Sequence, residues 1–347
     1  MRTKQISTAR VSGGSKPWRQ DPKGGTMRRL AVLLSLLVPL AVVSTPAAAQ
    51  PITIGGFTFE ANASADHGVL VPGAAPSFFL CGASDFFGEP TLPGLTVTQS
   101  ADVVLSDANP NTEIFGLARL DVTFTDNVVV NEPGPDLVVF ESLNPEDFSL
   151  APFDPVAGAF MSPIVYSPIP TGLVEDCGFG INAAQIDLSA FGIANASTVS
   201  LLRIDNLGAP GCCVGADPTD VLALHSAIPT TIDIRPGDSP NPVNLKAKGL
   251  LPVALHSTAS FDATTADGTT VTLGDPQLSG TARAVRSAIE DVNGDGRLDR
   301  VFFFQVQSLV ANGALNVAST GAVLRGKTLG GLSLVGDDSV KIVPAQP

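Results

Sequence analysis

Short hydrophobic runs recur along this chain, and within them apolar and polar side chains alternate. The run LARLDVTFTDNVVVN at 117–131 has this two-residue period, which is typical of a strand with one buried face. Turn signals such as Pro-Gly-Pro-Asp at 133–136 separate the runs. In the first part of the chain the pattern predicts strands at 52–60, 120–130, 137–141, 184–188, 199–204 and 221–225.

The same pattern continues to the end of the chain. It predicts strands at 231–235, 251–256, 269–273, 282–289, 300–310, 322–324 and 339–343. Apart from an apolar run near the N terminus, no segment indicates a helix. We therefore predict an all-β protein with two β-sandwich domains in tandem, residues 50–228 and 229–347, divided near 227–231.

The composition favours strands and turns over helices, because the chain has 34 Gly, 28 Pro and only 15% charged residues. Residues 51–347 contain 12 basic and 32 acidic side chains, a net charge of −20, against −13 for the whole chain. Such a surface repels phosphate backbones and attracts divalent cations. We expect no nucleic-acid partner.

The N-terminal segment is typical of a secretory signal peptide at 27–49. A basic MRR at 27–29 precedes an apolar run at 30–43 and a small-residue AAA at 47–49, so we expect cleavage after Ala49. The apolar run is too short to span a bilayer. We predict a secreted or cell-surface protein with no membrane span after signal cleavage. Residues 1–26 are interpreted as a misassigned upstream start or a disordered extension.

Four cysteines enter the oxidising compartment that a signal peptide implies, so disulfides are expected. All lie before the predicted domain boundary, at Cys81, Cys177, Cys212 and Cys213. Three pairings are open, one of which leaves a vicinal bond between Cys212 and Cys213. The CxxC-type spacing of a zinc site is absent.

The segment DVNGDGRLD at 291–299 is the strongest candidate for chemistry. It places side-chain oxygens of Asp291, Asn293, Asp295 and Asp299 at loop positions 1, 3, 5 and 9, with the Arg297 carbonyl at position 7. A hard cation needs this kind of oxygen-rich loop, so we predict a structural calcium ion. The alternative is a solvated turn, since Asn-Gly and Asp-Gly are favoured turn dipeptides.

The loop departs from an EF-hand, because position 12 is Phe302 and cannot ligate. It resembles the shorter DxDxDGxxD loops found between strands in integrin propeller blades and bacterial surface proteins. That resemblance implies that Asp299 closes the ligand shell, often as a bidentate ligand.

Residues 229–345 resemble a C-terminal module common in secreted bacterial proteins. The resemblance rests on IDIRPG at 232–237, NPVNLK at 241–246, GLLPVAL at 249–255, FD at 261–262, the DVNGDGRLD loop and DSVKIV at 338–343. The first domain is similar to discoidin-like, jelly-roll modules of bacterial cell-surface proteins, through GPDLVVFE at 134–141, LRID at 202–205 and CCVGADPTDV at 212–221. Such modules often bind glycans and carry a structural calcium.

A second set of acids lies in the first domain, and a candidate cation site is formed by Asp136, Asp205, Asp217 and Asp220. The alternative is a polar loop that caps strand ends. One Trp and one Tyr leave few aromatics for stacking on a sugar, which weakens a lectin hypothesis.

The sequence indicates no enzyme. It has only His67, His225 and His256, and none of the HExxH, GxSxG or phosphate-loop motifs. We predict a secreted, non-catalytic, calcium-stabilised extracellular protein that binds a glycan or another surface protein. The alternative is a secreted polysaccharide hydrolase with an unidentified carboxylate pair, for which Glu141 and Glu175 are conceivable.

Overall fold

The computed structural model describes residues 51–71, 77–78, 112–113, 119–142, 144–174, 180–207, 216 and 218–344, which belong to one compact unit. The predicted signal peptide, residues 1–26 and all four cysteines lie outside these residues. The first-half strands are β1 Ile52–Ile54, β2 Phe57–Phe59, β3 His67–Val71, β4 Ser77–Phe78, β5 Thr112–Glu113, β6 Arg119–Thr123, β7 Val128–Val130, β8 Leu137–Ser142, β9 Phe148–Asp154, β10 Ala159–Phe160, β11 Ile164–Tyr166, β12 Ile169–Val174, β13 Gly180–Ile186, β14 Thr198–Val199, β15 Leu201–Asn206, β16 Pro218–Ala223 and β17 Ser226–Pro229.

The second half contains nine strands and the one described α-helix. The strands are β18 Ile232–Ile234, β19 Pro242–Val243, β20 Leu250–Leu255, β21 Thr272–Gly274, β22 Ala282–Glu290, β23 Asp299–Gln305, β24 Gly321–Lys327, β25 Ser333–Ser339 and β26 Lys341–Ile342. The helix α1 is Val306–Ala311, and short 3-10 turns lie at Leu188–Phe191 and Ala263–Thr265.

Two antiparallel sheets form a sandwich in the first half. One sheet has the order β10-β9-β15-β6-β3 with β11 also on β9, and the other has the order β12-β13-β8-β16. Because side chains alternate across a strand, each sheet turns one apolar row inward. The facing rows bury a common core that includes Leu120, Val122, Leu150, Leu202 and Ile204 from one sheet and Leu137, Val139, Ile186 and Val221 from the other.

The four-stranded sheet is buried on its second face as well. Val138, Phe140 and Ile181 on this face pack against Ile54 and Phe59 of the β1–β2 hairpin. The single strand predicted at 52–60 is therefore wrong. Gly55 and Gly56 have φ of 58° and 88°, the two positive values that a type I′ hairpin turn requires.

A sheet of ten strands, in the order β14-β7-β17-β25-β24-β21-β22-β23-β20-β18, contributes the core of the second half. Strand β22 pairs with β21 at its start and with β23 along the rest, across a register shift between Ala284 and Arg286. Both parts of the sheet bury their apolar rows in one core, with Leu273 and Leu324 from one part and Phe302 and Phe304 from the other.

The strand predicted at 300–310 ends earlier. Strand β23 stops at Gln305 and α1 begins at Val306, burying Val306 and Leu309 in the same core. A helix of six residues is too short to give a clear 3.6-residue period, so the sequence pattern did not separate it from the strand.

Strand β17 lies across the predicted boundary at 228/229. Ser226 and Ala227 pair with β7, and Ile228 and Pro229 pair with β25 in parallel. A small apolar cluster from both halves packs beside it: Val128, Val130, Ala196, Ala227, Val323 and Val335. Two ion pairs also cross here, Arg325 with Glu132 and Lys327 with Glu60.

The prediction of an all-β protein built from packed sheets is confirmed. Among the described residues, no helix has the length and apolar character needed to cross a bilayer.

A substitution at Gly336 tests the packing beside β17. A Cβ at Gly336 would lie 2.6 Å from the Thr230 carbonyl oxygen and 2.7 Å from Thr230 Oγ1. Because Thr230 bonds to the backbone of Val335, it has little freedom to withdraw. We expect Gly336→Ala to lower the free energy of unfolding by about 1–3 kcal/mol in urea titrations. Gly321→Ala, whose nearest neighbour would be 3.5 Å away, is the matched control, and equal losses would contradict this packing.

Candidate functional site

The predicted calcium loop connects β22 to β23, and Glu290 pairs with Asp299 at its base. Gly294 and Gly296 have φ of 75° and 86°, so both glycines adopt the left-handed backbone that the tight turn needs. Residues 293–298 are exposed, as is Asp291. The loop therefore lies between strands, as its sequence predicts.

Asp291 organises the loop backbone. Its Oδ1 accepts hydrogen bonds from the N–H groups of Gly294 (2.8 Å) and Asp295 (3.1 Å), and its Oδ2 accepts one from Gly296 (3.0 Å). Asn293 Oδ1 also accepts from Asp295 N–H, at 3.0 Å. These bonds fold the chain around the first acidic side chain in the way that Asx turns do.

Asp295 is bonded to the residue two positions ahead. Its Oδ1 accepts from Arg297 N–H at 2.8 Å, and its Oδ2 lies 3.3 Å from Arg297 Nη1. This exposed ion pair is weak in water, since both side chains remain solvated. Asp295 is therefore available to another cation at small energetic cost.

Asp299 has a different environment from the other loop acids, because it is fully buried. Its Oδ1 accepts from Ser257 N–H at 2.9 Å and its Oδ2 from Val292 N–H at 3.0 Å. His256 Nδ1 lies 3.2 Å from Oδ2, at ion-pair distance but without hydrogen-bond alignment. Burial raises the pKa of Asp299, and the two backbone N–H groups with His256 outweigh it, so the pKa lies below its usual range.

The residues fit a cation unequally. Asp291, Asn293 and Asp295 are exposed and keep lone pairs that could accept a cation. The oxygens of Asp299 already accept hydrogen bonds from the N–H groups of Ser257 and Val292, and one of them lies beside His256. Oδ1 of Asp299, with one N–H donor, is its better placed oxygen. Within the described part of the chain, no three His, Cys, Asp or Glu side chains are grouped as a ready metal site. Calcium remains a prediction.

The second predicted set of acids is spread over several elements. Asp136 precedes β8, Asp220 lies in β16 of the same four-stranded sheet, and Asp205 lies in β15 of the other sheet. Asp205 faces Arg119 across the β15–β6 pair, with 3.0 Å between Arg119 Nε and Asp205 Oδ1. Asp220 is buried and accepts from Val221 N–H. Asp217 lies outside the described residues, so the site as a whole stays a prediction.

The buried Asp136 forms a pair with the half-buried His225 that the sequence did not predict. Its Oδ1 lies 2.9 Å from His225 Nδ1 and accepts from Glu132 N–H, and its Oδ2 accepts from Leu188 N–H. The bond to Asp136 raises the pKa of His225, as do the charges of Glu132 and Asp136. Burial and the charge of Arg325 lower it, and the pKa lies above its ordinary value. The sequence signal was an acid directly before one apolar strand and a histidine at the end of another predicted strand, 221–225.

A charged cleft of about 510 Å³ lies beside β17 and was not predicted. Its charged lining consists of Glu60, Glu132, His225, Arg283, Arg325 and Lys327. These residues come from five separate segments, so no local sequence motif marks them.

No family model matches this chain, and no curated protein matches it. Several solved structures are similar at a low level, and three of them are described below. The adhesin domain of Epf from Streptococcus pyogenes is 11% identical over 68% of this chain and 77% of that chain, with a TM-score of 0.20. A 1.5-MDa bacterial ice-binding adhesin is 14% identical over 71% and 78%, with a TM-score of 0.19.

The third, the Endo-D glycoside hydrolase domain from Streptococcus pneumoniae, is 10% identical over 78% of this chain and 36% of that chain, with a TM-score of 0.20. At these TM-scores the likenesses carry no argument about function.

Replacement of Asp299 should destabilise the protein with or without calcium. In Asp299→Asn, the amide would point a donor at the N–H of Ser257 or Val292 in a buried site. We expect a loss of about 3–5 kcal/mol in unfolding free energy at pH 7, in calcium and in chelator alike. Because the folded-state pKa is depressed, the wild type keeps this stability above about pH 4 and loses it as the pH falls through that pKa. A loss seen only in calcium would contradict the structural role.

The His225–Asp136 pair makes stability depend on pH. Because the pKa of His225 is raised, its contribution is fully present below the ordinary value of 6.5 and is lost as the pH rises through the folded-state pKa. His225→Asn keeps a donor near Asp136 and removes the titration. We expect urea titrations between about pH 5.5 and 9 to show a steeper loss in the wild type than in the variant. Parallel profiles would contradict the pairing.

Proposed function

We propose that this chain is a secreted, non-catalytic extracellular or cell-surface protein that is stabilised by calcium and binds a glycan or another surface protein. The observation that carries the calcium part is the folding of the 291–299 loop around Asp291 by three backbone N–H groups. This turn holds three oxygen-bearing side chains within five residues of an exposed loop.

Calcium binds about six to eight oxygens from carboxylates, amides, carbonyls and water. Asp291, Asn293 and Asp295 would supply side-chain oxygens, and Arg297 would supply its carbonyl. Asp299 would contribute through Oδ1, because its Oδ2 already faces the Val292 N–H and His256. Bound calcium would offset the repulsion among the loop carboxylates and tie the exposed loop to the buried end of β23.

The extracellular location rests on the predicted signal peptide and on the excess of acidic over basic side chains in residues 51–347. With a net charge of −20 after residue 50, the surface suits a medium that contains divalent cations.

The non-catalytic assignment rests on how the candidate acids and bases are engaged. His256 is buried beside Asp299, and among the described residues the ring of His225 bonds to Asp136 and to no hydroxyl that could act as a nucleophile. Glu141 is buried and accepts from the Glu146 N–H and Asn182 Nδ2, while Glu175 lies outside the described residues.

The hydrolase alternative draws its support from the cleft, which holds the two carboxylates Glu60 and Glu132. Glu60 accepts from Lys327 Nζ and from the N–H and hydroxyl of Ser333, and Glu132 pairs with Arg325. A glycosidase acid needs apolar surroundings that keep it protonated, which differ from these ion pairs.

Thermal unfolding in millimolar calcium and in chelator tests the proposal. Calcium that binds only the folded state should raise the melting temperature, by the equivalent of about 2.7 kcal/mol at one hundred times Kd. We expect Asp295→Ala to remove most of this gain and to change little in chelator, where one repulsive charge is lost.

The matched control is Asp337→Ala, which removes an exposed acid of β25 outside the loop. It should leave the calcium gain intact. Equal losses for Asp295→Ala in calcium and in chelator, or no calcium gain in the wild type, would exclude a calcium role for this loop.

A further inference from the structure

The cleft beside β17 has a row of polar side chains across three neighbouring strands. Thr272 of β21 pairs directly with Arg283 of β22 on one side and with Arg325 of β24 on the other. Directly paired residues project to the same face of a sheet, so the two arginines flank the threonine at a Cα separation of about 10 Å. The adjacent residues Leu273, Ala282 and Leu324 project to the opposite face, into the core.

The charges of the lining are unequal. Arg283, Arg325 and Lys327 are opposed by Glu60 and Glu132 only, so the cleft is cationic in a protein with a large acidic excess. Lys327 is paired with Glu60 and Arg325 with Glu132. For Arg283, no acidic partner is present among the described residues, and its Nη1 donates to the Thr269 carbonyl at 2.6 Å. Four of its five N–H donors therefore remain for a ligand.

His225 adds a further polar group to the lining. Its Nδ1 is held by the buried carboxylate of Asp136, so the ring orientation is fixed and Nε2 lies on the opposite edge. The ring is 30% exposed. A histidine oriented in this way by a buried acid is a preorganised hydrogen-bonding group, whose Nε2 accepts from a ligand hydroxyl when the ring is neutral and donates to a carboxylate when it is protonated.

The size and the remaining lining indicate a ligand larger than a simple anion. A volume of about 510 Å³ lies in the range of small-molecule sites. Beside the charged groups, the cleft is lined by the apolar residues Val130, Leu224 and Val335 and by Thr270 and Thr272, which carry hydroxyls. An apolar surface next to hydroxyls suits a sugar ring, while arginine forms a fork that matches a carboxylate.

We propose that this cleft binds a carboxylate-bearing saccharide, with Arg283 as the main contact for the carboxylate and Thr272, Arg325 and His225 around it. This inference rests on the proposed binding function and gives it a ligand class and a place in the fold. It is independent of the calcium loop, since none of the five loop ligands lines the cleft.

Nuclear magnetic resonance of the imidazole groups tests the proposal, because the chain has only three histidines. The His225 signal is the one that disappears in His225→Asn. Galacturonate titrated into the folded protein should shift this signal in a saturable way and leave the His256 signal in place. Galactose, which lacks the carboxylate, and acetate, which lacks the ring, should each bind at least about tenfold more weakly.

Arg283→Gln should weaken galacturonate binding about tenfold or more, because it removes the unpaired cation. Arg286→Gln is the matched control, since Arg286 lies three residues further along β22, stacks on Phe303 and is outside the cleft. It should leave the affinity unchanged. Melting curves of both variants check that each is folded.

Four outcomes would overturn the proposal. These are no shift of the His225 signal with galacturonate, equal binding of acetate, equal binding of galactose, and equal losses in Arg283→Gln and Arg286→Gln. Equal binding of galactose would leave the broader glycan-binding function standing. Repeating the titration in chelator, below the melting temperature, separates this result from the calcium proposal, because cleft binding should persist there.

Discussion

Strand β17 hydrogen-bonds to β7 through Ser226 and Ala227 and to β25 through Ile228 and Pro229. Because β17 pairs with a strand of each half, moving one half against the other would break backbone hydrogen bonds. The small apolar cluster around Ala227 and the two crossing ion pairs lie next to β17. The charged cleft depends on this continuity, since its walls come from both sides of β17.

Each half contains a fully buried aspartate whose charge is balanced in the same physical way. Asp136 and Asp299 accept backbone N–H groups on both oxygens and face a histidine on one of them. Burial of a carboxylate is tolerated only where donors replace its water. The two acids thereby fix loops: Asp136 joins the residues before β8 to β16–β17, and Asp299 joins the end of β20 to the 291–299 loop.

The roles of the acids in the 291–299 loop follow from this division. Asp299 belongs to the folded core of the second half, while Asp291, Asn293 and Asp295 face solvent. A cation would therefore add to a loop that already has its own hydrogen bonds. The same reasoning applies to the cleft, where two of the three basic side chains already have acidic partners and Arg283 does not.

Alternating apolar residues and frequent turn signals were sufficient to predict an all-β fold and to place the 291–299 loop between two strands. These are local properties: a two-residue period sets which face of a strand is buried, and Asn-Gly and Asp-Gly set where it turns. Short range also limited the prediction, because Gly55–Gly56 and the first five residues of α1 were included in predicted strands. The Arg283–Thr272–Arg325 row, the His225–Asp136 pair and the dual pairing of β17 join residues that are far apart in sequence. Only strand register decides such contacts, and register is set by the packing of whole sheets.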